Sequence, residues 1–416
     1  MQNASRSKVR NQMLNKHNYY GESVKNTNYK VVGATCLIAG TTIGAGMIAL
    51  PLTSATLGFG NSAFLLIGMW LFMLVAAAQM IEISQSKGDS IAILSGKYIH
   101  PTMKYIVAGT LSVLFWALLA AYISGSGSIL NQYLSIKTSF SSFLYVVIFA
   151  GIVLWKTSIL DYINRGLFFL KIVTFVFMAL CLLPFIHFDQ LNSSVMQSSL
   201  TQRAWFASIP IFFTAFGFHG SIPTVIEYLD GNKKDIYKSI ILGSLIPLIV
   251  YLFWQFMILG VLDQQAIMAP NVTAMILSLI DQTKSPYLHL LITLFTFLAI
   301  TTSFLGVALG MYNHSREWFP KVRQEDLPGK KRAFIKASLF TFIVPIIFAI
   351  YYPEGFIAAL GFASISLSLL STIFPALVGL KLQIGKKESF KNLFYVIMFL
   401  SGLTLIIVEL YNMGIV

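Results

Sequence analysis

Apolar and polar positions divide this chain into long blocks. From Val31 to Ile81 no Asp, Glu, Lys or Arg occurs, and comparable apolar blocks recur to residue 413, separated by short polar stretches. A helix that crosses bilayer hydrocarbon needs roughly 20 apolar residues, with a range of about 17 to 25. Eleven segments meet that length: 31–57, 61–84, 104–133, 141–157, 163–187, 204–229, 237–261, 286–314, 333–351, 355–380 and 391–413. The pattern predicts an all-α integral membrane protein with 11 transmembrane helices. The polar tail at 1–30 lacks the apolar core of a signal peptide and is expected to be cytoplasmic.

Composition agrees: 56% of the 416 residues are hydrophobic, 11% are charged, and the mean hydropathy is +0.75. A net charge of +13 raises the possibility of a nucleic-acid partner, but the basic residues fall between apolar runs instead of forming a face of a folded domain. Their distribution fits membrane orientation better, because Lys and Arg concentrate in cytoplasmic loops. With the N-terminus inside, only Lys137, Arg203 and Lys284 of the 29 basic residues fall outside. An odd number of spans then puts Val416 on the outer, periplasmic side. Cys36 and Cys181 lie within apolar runs and indicate neither a disulfide framework nor zinc. No metal or cofactor is expected.

The first span contains TTIGAGMIALP, in which Gly44, Gly46 and Pro51 stand where an unbroken helix would run. Relative to alanine, glycine costs a helix about 1 kcal/mol and proline about 3. The sixth span contains FTAFGFHGSIPT, where Gly217, Gly220 and Pro223 repeat the pattern, and Gly44 maps onto Gly217 at an offset of 173 residues. Five spans separate the two patterns, an odd number, so the halves run in opposite directions. The expected organisation is an inverted repeat of 31–187 and 204–380, with discontinuous helices 1 and 6 and an extra helix at 391–413. Glycines also allow close helix packing, but neither pair has the four-residue spacing common for that purpose. Paired interruptions in inverted halves point to a transporter binding site near the midplane. Free N–H groups around Gly44 to Met47 suit a carboxylate, and the carbonyls ending the first half-helices suit an ammonium group or a cation. Together they would recognise a zwitterion.

TTIGAGMIALP and FGFHGSIPT, within eleven spans, resemble the bacterial aromatic amino acid permeases of the hydroxy and aromatic amino acid permease family. The resemblance covers nearly the whole chain after residue 30. It implies the five-plus-five, leucine-transporter-like fold of the amino acid/polyamine/organocation superfamily, and residence in a bacterial cytoplasmic membrane. It also implies proton-coupled uptake of an aromatic amino acid, tyrosine first and tryptophan next. It places the substrate carboxylate against Gly44, Ala45 and Gly46, just after Thr41 and Thr42, and the ammonium near carbonyls around Thr41 and Phe216. Met47, Phe216 and Phe218 become candidate pocket residues beside Gly217 and Gly220. A lysine in helix 5 takes the place of a sodium ion in related proton-coupled permeases; Lys171 resembles it, with Thr301, Thr302 and Ser303 as the hydroxyl side of that site. Snorkelling of Lys171 to the headgroups is the alternative.

Tyr122 and Ser126 share a face of the third span, and Ser364 lies in the tenth; each is a candidate substrate contact or an ordinary interhelical hydrogen bond. His219 lies inside the second break, placed for proton coupling or substrate contact, or for bonding nearby backbone. Glu82, Glu227 and His314 sit at span ends as gate or interface residues, and Glu409 has no evident task. An intramembrane enzyme is disfavoured: no HExxH motif occurs and no acidic pair shares a span centre. A channel would show rings or repeated filter sequences. A transporter of another neutral amino acid, or a non-transporting sensor on the same fold, stays open.

Overall fold

A computed structural model describes residues 29–84, 89–155, 157–192, 198–262, 272–318, 327–386 and 388–415. The predicted tail lies outside these residues except for Tyr29 and Lys30. The described residues form helices and no strands. In chain order they are α1 (29–42), α2 (Gly46–Ser54), α3 (Gly58–Ile83), α4 (Ile91–Tyr98), α5 (Met103–Leu134), α6 (Thr138–Trp155), α7 (Thr157–Leu182), α8 (Phe188–Asn192) and α9 (Ser198–Ala215). Then follow α10 (Ile222–Tyr228), α11 (Lys233–Val261), α12 (Val272–Thr283), α13 (Pro286–Glu317), α14 (Leu327–Tyr351), α15 (Phe356–Ser368), α16 (Phe374–Leu382) and α17 (Ser389–Asn412). A π-helical turn at Leu369–Ile373 joins α15 to α16.

Ten runs among the described residues are long and apolar enough to cross a membrane, against the eleven read from the pattern. The difference arises at the first break: α1 is too short by itself, and Gly46–Ile83 counts as one run of 38 residues. A straight helix of that length would reach about 57 Å, nearly twice the hydrocarbon thickness. It is not straight. A 3₁₀ turn at Ala55–Leu57 leads to Gly58, whose φ of 72° is open to glycine and strained for other residues. The Ser62 hydroxyl ties this corner together by donating to the carbonyls of Gly58 (2.7 Å) and Ser54 (3.2 Å).

Large apolar side chains such as Phe64, Phe169, Leu180, Ile249, Leu339 and Leu400 point outward. In water such a belt would drive aggregation, whereas in lipid it is the solvated surface. The most enclosed runs are Gln202–Tyr228, Tyr287–Arg316 and Phe356–Leu382; Tyr162–Phe185 and Lys331–Tyr351 are the most peripheral. Small residues bring α5 into the centre. A Cβ on Gly125 would press on Phe356 and Ile300, and one on Gly127 would overlap the Ser142 hydroxyl.

The beginning of α1 is tied to the end of α10 by the Lys30–Asp230 ion pair at 2.7 Å, with Gly33 against the Tyr228 hydroxyl. Hydrogen bonding and charge from Asp230 hold the Lys30 ammonium above the ordinary lysine range. A raised lysine value means the tie is fully present below the ordinary value and is lost as pH rises through the raised one. It therefore persists throughout physiological pH. A second tie joins Lys233 to Glu82 at 3.0 Å, with the Tyr237 hydroxyl donating to the same carboxylate.

Candidate functional site

Residues 43–45 interrupt the first predicted span, and several of the backbone groups released there have partners. The Tyr251 hydroxyl donates to the Thr42 carbonyl at 2.6 Å, and the Lys171 ammonium donates to the Ile43 carbonyl at 3.3 Å. The Ala45 N–H donates to the Ser303 hydroxyl oxygen at 3.0 Å. The N–H groups of Met47 and Ile48 turn back to the carbonyls of Gly44 and Ala45. The Gly44 N–H faces the Tyr251 hydroxyl oxygen, and that of Gly46 has no hydrogen-bond partner among the described residues. The glycines serve close approach: a Cβ on Gly44 would overlap the Ser303 hydroxyl, and one on Gly46 would lie 3.2 Å from the Ala215 Cα. Thr41 and Thr42 direct their hydroxyls to carbonyls one turn back in α1, so Thr42 meets its neighbours through its backbone. The Ser221 hydroxyl reaches Thr41 Oγ1 at 3.5 Å, linking the two interruptions.

In the second interruption α9 ends at Ala215, Phe216 and Gly217 leave the helix, and a 3₁₀ turn at Phe218–Ser221 leads into α10. Pro223 stands in the first turn of α10, where its missing N–H costs nothing. A Cβ on Gly217 would lie 3.1 Å from the Thr214 carbonyl and 3.6 Å from Leu367, while Gly220 borders open space. Phe216, Phe218 and His219 are buried. The His219 ring stacks on Phe218 with centroids 4.7 Å apart, and neither ring nitrogen has a hydrogen-bond partner among the described residues.

Three consecutive hydroxyls of α13 fan out to different partners because each helical step turns about 100°. Thr301 receives the Tyr145 hydroxyl at 3.4 Å, Thr302 receives the Lys171 ammonium at 3.2 Å, and Ser303 receives Ala45. Lys171 is 2% exposed, and its ammonium also lies 4.6 Å from the Phe168 ring centre. Its donors reach protein groups in α13 and in the first interruption. Met47, Tyr122, Ser126 and Ser364 are buried; the Ser126 hydroxyl neighbours that of Tyr145, and the Ser364 hydroxyl has no hydrogen-bond partner among the described residues. The structure thus joins Thr42, Ala45, Lys171, Thr302 and Ser303 by direct contacts. It does not connect Tyr122, Ser126, His219 or Ser364 to that network by a hydrogen bond. Among the described residues no group of His, Cys, Asp and Glu could hold a metal ion.

Sequence reasoning missed Tyr251, which lies within α11. Its hydroxyl is 3.0 Å from the Ala215 carbonyl as well as 2.6 Å from that of Thr42, so one buried side chain spans both interruptions. The only available signal was a phenol in mid-span, which needs a partner when buried, but the chain has 18 tyrosines. A phenol has one hydrogen, so it satisfies one carbonyl at a time. Tyr251→Phe is expected to destabilise the purified protein by about 1–3 kcal/mol, the cost of an orphaned buried acceptor. An unchanged thermal or denaturant midpoint would mean that other donors cover both carbonyls.

These features define a polytopic helical membrane protein whose buried polar centre lies where two interrupted helices meet. The chain belongs to the tryptophan/tyrosine permease family, which matches residues 27–415. It is 39% identical over 361 residues to tyrosine-specific transport system 1 of Haemophilus influenzae, covering 83% of this chain and 86% of that one. To the low affinity tryptophan permease of Escherichia coli K12 it is 29% identical over 365 residues, covering 83% and 85%. Glutamine transporter 2 of Aliivibrio fischeri is 27% identical over 371 residues, covering 87% and 91%.

Proposed function

We propose that this permease imports an aromatic amino acid, tyrosine first and tryptophan next, by proton symport with alternating access across a bacterial cytoplasmic membrane. The observation that carries the reading is the unpartnered Gly46 N–H at the first interruption, with the Gly44 N–H on the Tyr251 hydroxyl beside it, close to carbonyls of two interrupted helices. A zwitterion needs donors for its carboxylate and acceptors for its ammonium within one buried site. The N–H groups of Gly44 and Gly46 take the carboxylate; carbonyls around Thr41 and Phe216 take the ammonium. Met47, Phe216 and Phe218 line the side-chain pocket with Tyr122, Gly217 and Gly220, while Ser126, His219 and Ser364 supply buried polar groups. The names of the tyrosine and tryptophan relatives support the substrate class.

The remaining architecture belongs to the same reading. The Gly58 corner divides Gly46–Ile83 into the ends of two crossings, which makes eleven spans. Residues 31–187 and 204–380 form the inverted repeats, 391–413 adds the last helix, the N-terminus faces the cytoplasm and the C-terminus the periplasm. Lys171 binds the coupled proton: its ammonium holds the Ile43 carbonyl and the Thr302 hydroxyl, with Thr301 and Ser303 alongside, and deprotonation weakens that hold on the first interruption. His219 is a second candidate for proton coupling.

A neutral amino acid without an aromatic ring is the second reading, favoured by the glutamine transporter among the relatives. Proteoliposomes under an imposed proton gradient separate the two. Labelled tyrosine should accumulate, and unlabelled tyrosine, tryptophan and phenylalanine should compete better than glutamine. Accumulation of glutamine but not tyrosine would move the assignment to the second reading, and failure to concentrate any amino acid would exclude secondary active transport.

A further inference from the structure

The transport reading leaves one buried acidic group without a task. Glu409 lies in the last turn of α17, is 5% exposed, and borders a cavity of about 1130 Å³ that also touches α2, α5, α9, α14 and α15. Its carboxyl rests against Gly361 of α15, where a Cβ would overlap it. Glycine at 361 thus makes room for the acid. Among the described residues no cation lies within ion-pair distance of this carboxyl.

The charged and titratable groups facing the same cavity are Arg203 from α9, and Tyr352 and Glu354 from the turn between α14 and α15. α2, α5 and α15 contribute none. On its own helix the neighbours are Tyr411 and Asn412, and the Asn412 amide donates to the Phe206 carbonyl at 2.8 Å. Lys381 and Lys391 stand at the opposite ends of α16 and α17. One turn along α15 from Gly361 lies Ser364, whose buried hydroxyl has no partner among the described residues.

We propose that Glu409 is a proton-binding site of this outer cavity, taking up a proton there so that the cavity can close. The step is the addition of one proton to a carboxylate oxygen, with no other bond made or broken. Arg203 faces the same cavity but forms no ion pair with Glu409, and an ionised carboxylate sealed from water without a paired cation is costly, whereas a neutral carboxyl is not. Closing α2 and α9 over α15 and α17 therefore requires the proton, and the contact at Gly361 passes that requirement to the helix that carries Ser364. This proposal rests on the proton-symport reading.

The test uses the full-length protein in proteoliposomes, with labelled tyrosine and external pH varied over about two units. Wild type should accumulate tyrosine more strongly as the outside is acidified. Glu409→Gln keeps the shape but not the titration; it should still exchange tyrosine for tyrosine while the rise of accumulation with external acidification becomes clearly shallower than in wild type, the Lys171 step being intact. Glu409→Asp keeps a carboxyl at altered reach and should shift the midpoint of the profile. A Gln variant with the wild-type profile, or an Asp variant with an unmoved midpoint, overturns the assignment of Glu409 and leaves symport standing. Wild type that shows no proton-driven accumulation overturns the symport reading, and the Glu409 proposal with it.

Discussion

Gly46→Leu is expected to abolish substrate binding while the protein still reaches the membrane and purifies as a folded species. A Cβ at this position already approaches the Ala215 Cα to 3.2 Å, and that neighbour is backbone, which cannot rotate away. Leucine adds three more carbons at the contact between the two interruptions. Overpacking of this kind costs about 1–3 kcal/mol, which folded proteins commonly survive by shifting backbone. Here the backbone that shifts carries the N–H group assigned to the substrate carboxylate. Gly46→Ala should be intermediate. Labelled-tyrosine binding, compared at equal amounts of monodisperse protein, checks both variants. Near-normal binding by the leucine variant would remove backbone recognition at the first interruption.

Lys171→Ala should remove concentrative uptake. The ammonium donates to the Ile43 carbonyl and the Thr302 hydroxyl, and alanine removes the donor from both. A pH gradient of one unit is worth about 1.4 kcal/mol, so one coupled proton can drive about tenfold accumulation. The variant should lose that factor, so that tyrosine equilibrates across the vesicle membrane without concentrating. If proton-driven accumulation is unchanged, Lys171 has a structural role only, as a tether between α7, α13 and the first interruption.

Residue order carried the helical architecture well. The predicted spans at 104–133, 237–261 and 391–413 correspond to helices Met103–Leu134, Lys233–Val261 and Ser389–Asn412. Hydrophobic run length reports directly on what lipid can solvate, so most spans are legible with drifting ends, while the first predicted span, 31–57, is divided at 43–45. The interruptions were legible too: glycine and proline act on their own backbone, and the helices stop at residue 42 and at Ala215. The short helices α4 and α12 were missed because neither is long enough to register as a membrane run.

The partners within the centre were not legible. Lys171 could equally have turned toward the headgroups, since a lysine stem is long enough for both; its tertiary contacts direct it to Ile43 and Thr302. Tyr251 was indistinguishable from the other tyrosines, and Glu409 looked like a charge near a helix end. Tyr251 is 209 residues from Thr42 and 36 from Ala215, and Glu409 is far along the chain from Gly361. Periodicity and composition describe neighbours along the chain. A hydrogen bond between distant groups, or a carboxyl enclosed by a glycine of another helix, exists only once packing has brought those backbones together.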